Sequence, residues 1–212
     1  MKAYSIKLLR GVTMIGLLLC SSSCGPKTVV LPNTINTVAA GYPFVLQVKN
    51  QMDRDAHLVA VIIDFNRQGG QFLVPQIAYG FASPHTNGRV FVIMVDNLKH
   101  EAFVALDAPN SPDNPYMPVS MSAQLDLSGV TRDISGILEI AKTNGLDEFC
   151  ALATPKQGKV SCRLFTSGAR PVWRVFGDGW DEKGPIADLA IRIDAQTGKV
   201  LSHTLQKATN RP

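Results

Sequence analysis

The sequence predicts an α+β fold, built from two consecutive units that each pack one helix on an antiparallel sheet. Three observations predict it: helical periodicity opens each half, β-branched or alternating runs follow, and a proline-rich stretch separates the halves. Hydrophobic residues make up 45% of the 212 residues and charged residues 18%, a composition typical of folded proteins and not of disordered chains. The predicted units cover residues 42–108 and 125–207.

The first 24 residues have the order of a secretory signal peptide. Lys2, Lys7 and Arg10 precede an apolar run at 12–19, and small serines follow it. The apolar run is too short for the roughly 20 residues that span a bilayer. The sequence therefore predicts that the chain is exported.

Two cysteines follow the apolar run, and this part of the chain resembles the signal of bacterial lipoproteins. In that family a cysteine after small residues receives lipid and becomes the new N-terminus. Cys24 follows the small Ser23, whereas Cys20 follows the bulky Leu19, so Cys24 is the preferred site and an ordinary cleaved signal is the alternative. The resemblance implies a protein anchored by lipid on the periplasmic or extracytoplasmic side of the bacterial cell envelope. Residues 25–41 would then form a flexible tether.

The first unit is predicted to begin with a helix and continue with strands. Pro43 suits the first helical position, and Phe44, Val48 and Met52 recur at the four-residue spacing of one helical face. β-branched or alternating residues then predict strands at 58–63, 73–82, 90–95 and 101–106. Residues 109–124 contain four prolines and form the predicted linker between the units.

The second unit repeats this order. Asp133 can cap a helix over 134–144. Strands are predicted at 149–154, 158–165, 172–176 and 189–193, the first two as a hairpin around a turn at 155–158. The residues predicted to line the core are Ile134, Ile137, Leu138, Ala141, Trp173, Val175, Leu189, Ile191 and Ile193. We interpret the two units as an internal repeat, although two unrelated α+β units could share this pattern.

The C-terminal part of the second unit resembles the PepSY domain family. The resemblance rests on Pro171-Val-Trp-Arg-Val and on the later segment Ile191-Arg-Ile-Asp-Ala-Gln-Thr-Gly-Lys-Val-Leu201. The first unit has Phe91 in place of the tryptophan and would be a degenerate copy. PepSY modules occur in propeptides of secreted peptidases and in envelope proteins. The resemblance therefore implies a small binding or regulatory module without catalytic residues, acting on a protein partner such as a secreted peptidase.

Cys150 and Cys162 lie symmetrically about Lys156 in the predicted hairpin, and alternation puts both on its apolar face. Residues that face each other in such a pair have Cβ atoms about 4.5–5.5 Å apart, near what a disulfide requires. Because an exported chain meets an oxidising compartment, we expect a disulfide between them. Two buried free thiols are the alternative.

Few residue patterns indicate chemistry. None of the four histidines pairs with another at metal-ligand spacing, and the phosphate-loop, dinucleotide and lipase motifs are missing. Without residues 1–24, 18 basic and 17 acidic residues remain, which argues against nucleic-acid binding. We therefore expect a protein that is not an enzyme and has no cofactor or metal, with a hydrolase of unrecognised site as one alternative.

Four side chains are candidates for contact with a partner. Trp180 lies in a predicted acidic loop, where it could anchor a partner or fold back onto the sheet. Arg163, Arg174 and Arg192 project from the face opposite the apolar one, where they would form a patch for an acidic peptide or glycan, or a solvated face balanced by carboxylates. The sequence thus favours a non-enzymatic envelope lipoprotein that binds an envelope protein or peptide, with a structural envelope component as the other alternative.

Overall fold

In the computed structural model, which describes residues 27–85, 89–109 and 123–208, nine strands form one sheet. The strands are β1 (Thr28–Val30), β2 (His57–Gln68), β3 (Gln71–Ala82), β4 (Arg89–Asp96), β5 (Glu101–Pro109), β6 (Gly158–Ser167), β7 (Arg170–Asp181), β8 (Gly184–Asp194) and β9 (Val200–Lys207). Their order across the sheet is β1-β5-β4-β3-β2-β6-β7-β8-β9. All neighbouring pairs are antiparallel.

The helices pack together on one face of this sheet. Helix α1 (Val38–Met52) precedes β2, and helices α2 (Ile134–Ala141) and α3 (Asp147–Leu152), joined by the wider turn Lys142–Leu146, precede β6. A single hydrophobic core contains residues of all three helices and of both halves of the sheet. No helix within the described ranges has the length and apolar character needed to cross a bilayer. We call the opposite face of the sheet the outer face.

The prediction of two separate α+β units is wrong. Strand β2 pairs with β6 through residues 60–65, so one mostly β structure runs without a break from the first half into the second. Residues 58–63 of β2 are all buried, as expected for a central strand. Alternation along a strand shows which face is buried, but it does not show which strand lies beside it. The sequence pattern therefore could not reveal that the two sheets join.

Several predicted segments lie partly or wholly outside the described residues. The signal peptide, including Cys20 and Cys24, lies outside them, as do residues 110–122 of the predicted linker. Within the predicted tether, Thr28–Val30 forms a strand paired with β5, and α1 begins at Val38. Thr28–Val30 and the residues of the predicted tether from Val38 onward therefore belong to the folded part of the protein.

Helix α1 begins before the predicted start at Pro43, which lies inside the helix. Thr37 caps it by accepting a hydrogen bond from a backbone amide of the first turn. The hydroxyl of Tyr79 donates to the carbonyl oxygen of Val38 at 2.8 Å. Gly41 makes this approach possible, because a Cβ there would lie 2.5 Å from the same hydroxyl. The start of the helix therefore depends on a cap and on a contact with the sheet.

The predicted disulfide is wrong, because Cys150 and Cys162 are free and the predicted hairpin does not form. Asp147–Leu152 is helical, so Cys150 lies half-buried on α3, while Cys162 is buried in β6. Burial raises the pKa of the Cys162 thiol. A short apolar run has the same composition in a strand and in one buried turn of helix, and here the helix is formed. The two cysteines therefore do not face each other across a hairpin, as the predicted disulfide required.

The predicted core of the second half is confirmed. All nine side chains named for it are buried in the main core cluster. The indole nitrogen of Trp173 also donates to the carbonyl oxygen of Arg132 at 2.8 Å, which ties the strand to the segment before α2. The sequence alternation in β7 and β8 was therefore a correct guide to the buried face.

Asp194 ends β8 and holds the turn that follows it. Its Oδ1 accepts from the backbone amides of Gln196 at 3.0 Å and Thr197 at 2.7 Å. The hydrogen bonds from Thr197 lower the pKa of the Asp194 carboxyl below its ordinary value of 3.8. A lowered pKa stabilises the fold above the unfolded-state pKa, and this stabilisation is lost as pH falls through the folded-state pKa.

We expect Asp194→Asn to lower the free energy of unfolding at neutral pH, because the ionised acceptor is removed. The difference from the unsubstituted protein should shrink as pH falls below about 4. Urea unfolding at a series of pH values measures both effects. Asp188→Asn, an exposed aspartate on the same strand, is the matched control. A difference that stays constant down to acidic pH would contradict the role of the carboxylate.

Candidate anion-binding surface

The outer face changes character from the first half of the sheet to the second. In the first half it bears small clusters of buried apolar residues, such as Ile62, Ala78 and Val92. In β6 Arg163 directly neighbours Ile62, and from there the face carries charged side chains, arginines together with Asp64, Asp178 and Asp188. The second half of this face therefore holds the candidate functional site.

The structure brings the three predicted arginines together. Arg163 is the direct cross-strand neighbour of Arg174, and Arg174 is the direct neighbour of Arg192. Adjacent strands lie about 4.8 Å apart, so the three side chains form a row across β6, β7 and β8. We call these three residues the arginine row. Buried residues such as Leu164 and Val175 alternate with them and hold them on the outer face.

The row has no ionic partner among the described residues. No carboxylate oxygen in that part of the chain lies within 4.0 Å of a nitrogen of Arg163, Arg174 or Arg192. Arg192 Nη2 donates to Ser167 Oγ at 3.0 Å, but the Nε atoms of Arg163 and Arg192 are buried without a hydrogen-bond partner. Like charges directly opposite each other destabilise a sheet, and unmade buried hydrogen bonds add to this. An anion on the row would relieve the repulsion.

An aromatic ring orients two of the guanidinium groups. The guanidinium carbons of Arg163 and Arg174 lie 5.1 Å and 4.2 Å from the ring centroid of Phe176. Burial lowers the pKa of Arg163, and burial together with the neighbouring Arg192 lowers the pKa of Arg174. Arginine nevertheless stays protonated at neutral pH, so the row is a fixed positive charge.

A surface depression of about 460 Å³ lies beside the row. Arg174 and Arg192 line it together with Phe165, Ala190, Ser202 and Thr204, none of which is acidic. The small Ala190 pairs with Phe176 on one side and Thr204 on the other, which leaves space between larger side chains. Two guanidinium groups and two hydroxyl groups therefore border a space that can accept a carboxylate or a phosphate.

Trp180 is not part of this surface. It belongs to β7 and not to an acidic loop as predicted, and it lies six residues from Arg174, about 20 Å along the strand. Its side chain is 56% exposed, and its indole nitrogen donates to Asp178 Oδ1 at 2.6 Å. A partner on the arginine row would therefore need a second contact region to reach Trp180.

The sequence analysis missed one group that has the chemistry of a metal site. His85 Nε2 lies 2.7 Å from Asp55 Oδ2, and the ligand atoms of these two residues and Asp53 lie within 4.8 Å of one another. The hydrogen bond to Asp55 raises the pKa of His85. The side chains of His85 and Asp55 are mostly exposed. His85 and Asp55 are 30 positions apart in the sequence and meet only because β2 pairs with β3. No local motif therefore indicates the group.

No family model and no curated protein sequence matches the chain, so neither the PepSY resemblance nor the internal repeat has support from these comparisons. Among solved structures, the chain is similar to a candidate lipoprotein from Clostridium difficile 630. The two are 17% identical, with a TM-score of 0.47, and the match covers 78% of this chain and 92% of that chain.

Proposed function

We propose that this protein is a non-enzymatic lipoprotein of the bacterial cell envelope that binds an acidic segment of a protein partner. The arginine row supports the proposal most directly, because three adjacent guanidinium groups lack a carboxylate partner among the described residues. Carboxylates of a partner would neutralise the row and accept hydrogen bonds from its guanidinium groups. Asp64 offsets part of the charge of Arg163, but Arg174 and Arg192 border a space without acidic residues, a surface suited to an anionic ligand.

The geometry of the row favours a short acidic peptide segment. Guanidinium groups match carboxylates in a planar, two-bond geometry. The rings of Phe165 and Phe176 lie on the same outer face and offer apolar contact beside the charges. Without its signal peptide the chain is nearly neutral, so the positive charge is local and not spread over the protein. A local patch favours a compact acidic motif over a long polyanion.

The positions of the side chains whose pKa is most strongly raised also agree with a binding role. Burial raises the pKa of Tyr79 and Cys162, and both side chains lie in the main core and not in the depression. His85, whose pKa is raised, and Asp53, whose pKa is lowered, line a separate cleft and not the depression. The residues that line the depression offer charge and hydroxyl groups but no carboxylate or imidazole base. We therefore propose that the depression serves binding and not catalysis.

A labelled deca-glutamate peptide tests the binding proposal by fluorescence anisotropy. We expect saturable binding that weakens as salt rises, since charge provides much of the attraction. Deca-lysine and a neutral glycine-serine peptide of the same length are the controls and should not bind. Equal affinity for the neutral peptide would contradict the proposal. Binding of an anionic polysaccharide without binding of deca-glutamate would contradict the protein partner.

The lipid anchor is proposed from the sequence and is tested separately. Cys24→Ala should abolish incorporation of a labelled fatty acid in a bacterial host. It should leave the fold unchanged, because it removes only the thiol that would carry the lipid. Circular dichroism of the purified variant checks the fold. Labelling that survives this change and disappears with Cys20→Ala would assign the other cysteine, and labelling that survives both would contradict the anchor.

A further inference from the structure

One corner of the sheet exposes two large apolar side chains. Val30 is 78% and Leu98 79% exposed, more than any other large apolar side chain in the described residues. Val30 pairs with Glu101, and Leu98 lies in the turn at 97–100 that immediately precedes Glu101. The backbone amide of Leu31 also donates to the carbonyl oxygen of His100 at 2.8 Å. We call Val30 and the turn 97–100 the β1 corner.

The turn that presents Leu98 is held firmly. Asp96 Oδ1 accepts from the backbone amides of Leu98 at 2.9 Å and Lys99 at 3.1 Å. The buried side chain of Asn97 bonds both the amide and the carbonyl oxygen of Ile35, at 2.7 Å and 2.8 Å. Leu98 is therefore exposed on an ordered turn, which favours a contact surface over a frayed loop.

The position of the proposed anchor limits which edge of the sheet lies near the membrane. A chain spans at most about 3.6 Å per residue, so Thr28 lies within about 14 Å of Cys24, and Val30 within about 22 Å. Strand β9 is eight strand intervals from β1, or about 38 Å. A lipid on Cys24 therefore holds the β1 edge next to the bilayer and does not restrain the distant β9 edge.

The charged residues indicate which end of the β1 edge lies against the membrane. At the β1 corner Lys99 Nζ lies 3.9 Å from Glu101 Oε1, and the lysine is the more exposed of the two side chains, at 63% against 31%. The other end of β5 has Asp107, which lines one cleft together with Asp53 and Arg54, so carboxylates outnumber the arginine there. Anionic lipid head groups attract lysines near the surface and repel carboxylates. The apolar corner, with its exposed lysine and balanced charge, is therefore the end that fits a membrane surface.

We propose that the β1 corner contacts the phospholipid surface, with Val30 and Leu98 at the boundary between head groups and acyl chains and Lys99 among the head groups. This inference rests on the proposed lipid anchor. It would place the arginine row, five to seven strand intervals from β1, about 24–34 Å outward along the sheet. The row would then face partners in the aqueous space and not the lipid.

Tryptophan scanning in vesicles tests this orientation. Lipidated full-length Leu98→Trp is reconstituted in phosphatidylethanolamine and phosphatidylglycerol vesicles that contain brominated acyl chains. Its added emission should shift to the blue and be quenched relative to the unsubstituted protein. Leu201→Trp on β9, a position with 47% exposure, is the matched control and should show neither change. Val30→Trp provides an independent second position and should behave like Leu98→Trp.

The outcomes separate the two proposals. Mass spectrometry of the N-terminal peptide reports whether the protein is lipidated. Lipidated protein without quenching at 98 and 30, or with equal quenching at 201, would overturn the membrane contact alone. Protein without lipid would overturn the anchor and with it this inference. Quenching confined to 98 and 30 would support the contact.

Discussion

Phe149→Ala is expected to lower the free energy of unfolding by about 3–5 kcal/mol, the largest effect on stability that we predict. The ring is fully buried on α3 and lies against two glycines of the sheet. A Cβ at Gly177 would lie 2.8 Å from three ring atoms, and one at Gly158 would lie 3.3 Å from the ring. The ring therefore fills a space that the sheet provides, and its removal leaves a cavity. Urea denaturation measures the loss.

A double-mutant cycle with Gly177→Ala shows whether this contact is the cause. In the unsubstituted protein the added methyl group overpacks the ring and should lower stability by about 1–3 kcal/mol. In the Phe149→Ala background the same methyl group enters vacated space, so its effect should nearly vanish. Leu152→Ala, a half-exposed position on the same helix, is the control for helix propensity. Additive effects would contradict the docking of Phe149 on Gly177.

Arg174→Glu is expected to weaken binding of the acidic peptide at least tenfold, the largest effect on function that we predict. The central arginine neighbours both others, so its reversal places a carboxylate between Arg163 and Arg192. The same change replaces two repulsive cross-strand pairs by attractive ones, each worth about 0.2–1 kcal/mol. The loss of the contact between Arg174 and Phe176 offsets part of this gain, so we expect stability to rise by at most about 1 kcal/mol while affinity falls. Anisotropy and urea unfolding measure the two quantities.

Lys183→Glu is the matched control for this prediction. It makes the same change in net charge at an exposed turn between β7 and β8, outside the row. An equal loss of affinity in both variants would mean that only overall charge matters. That result would contradict a localised site. A loss of stability in Arg174→Glu would contradict the view that repulsion within the row opposes folding.

The alternation of apolar and polar residues was enough to predict which face of several strands is buried. It predicted the buried face of β7 and β8, including Trp173 and Ile191, and it placed Arg163, Arg174 and Arg192 on one outer face. This worked because side chains of a strand point to opposite faces with a period of two. Where the apolar run was short, as at 149–154, composition suited both strand and helix, and the prediction failed.

The sequence by itself determined which side chains are buried and which project outward along each strand, because that choice depends on local periodicity and burial. Only the tertiary structure decided which strands are neighbours, since backbone hydrogen bonds across a sheet do not depend on the side chains that alternate along it. The junction of β2 with β6 joined two expected sheets into one. Cross-strand register turned three separate arginines into a row, and the pairing of β2 with β3 brought His85 to Asp55.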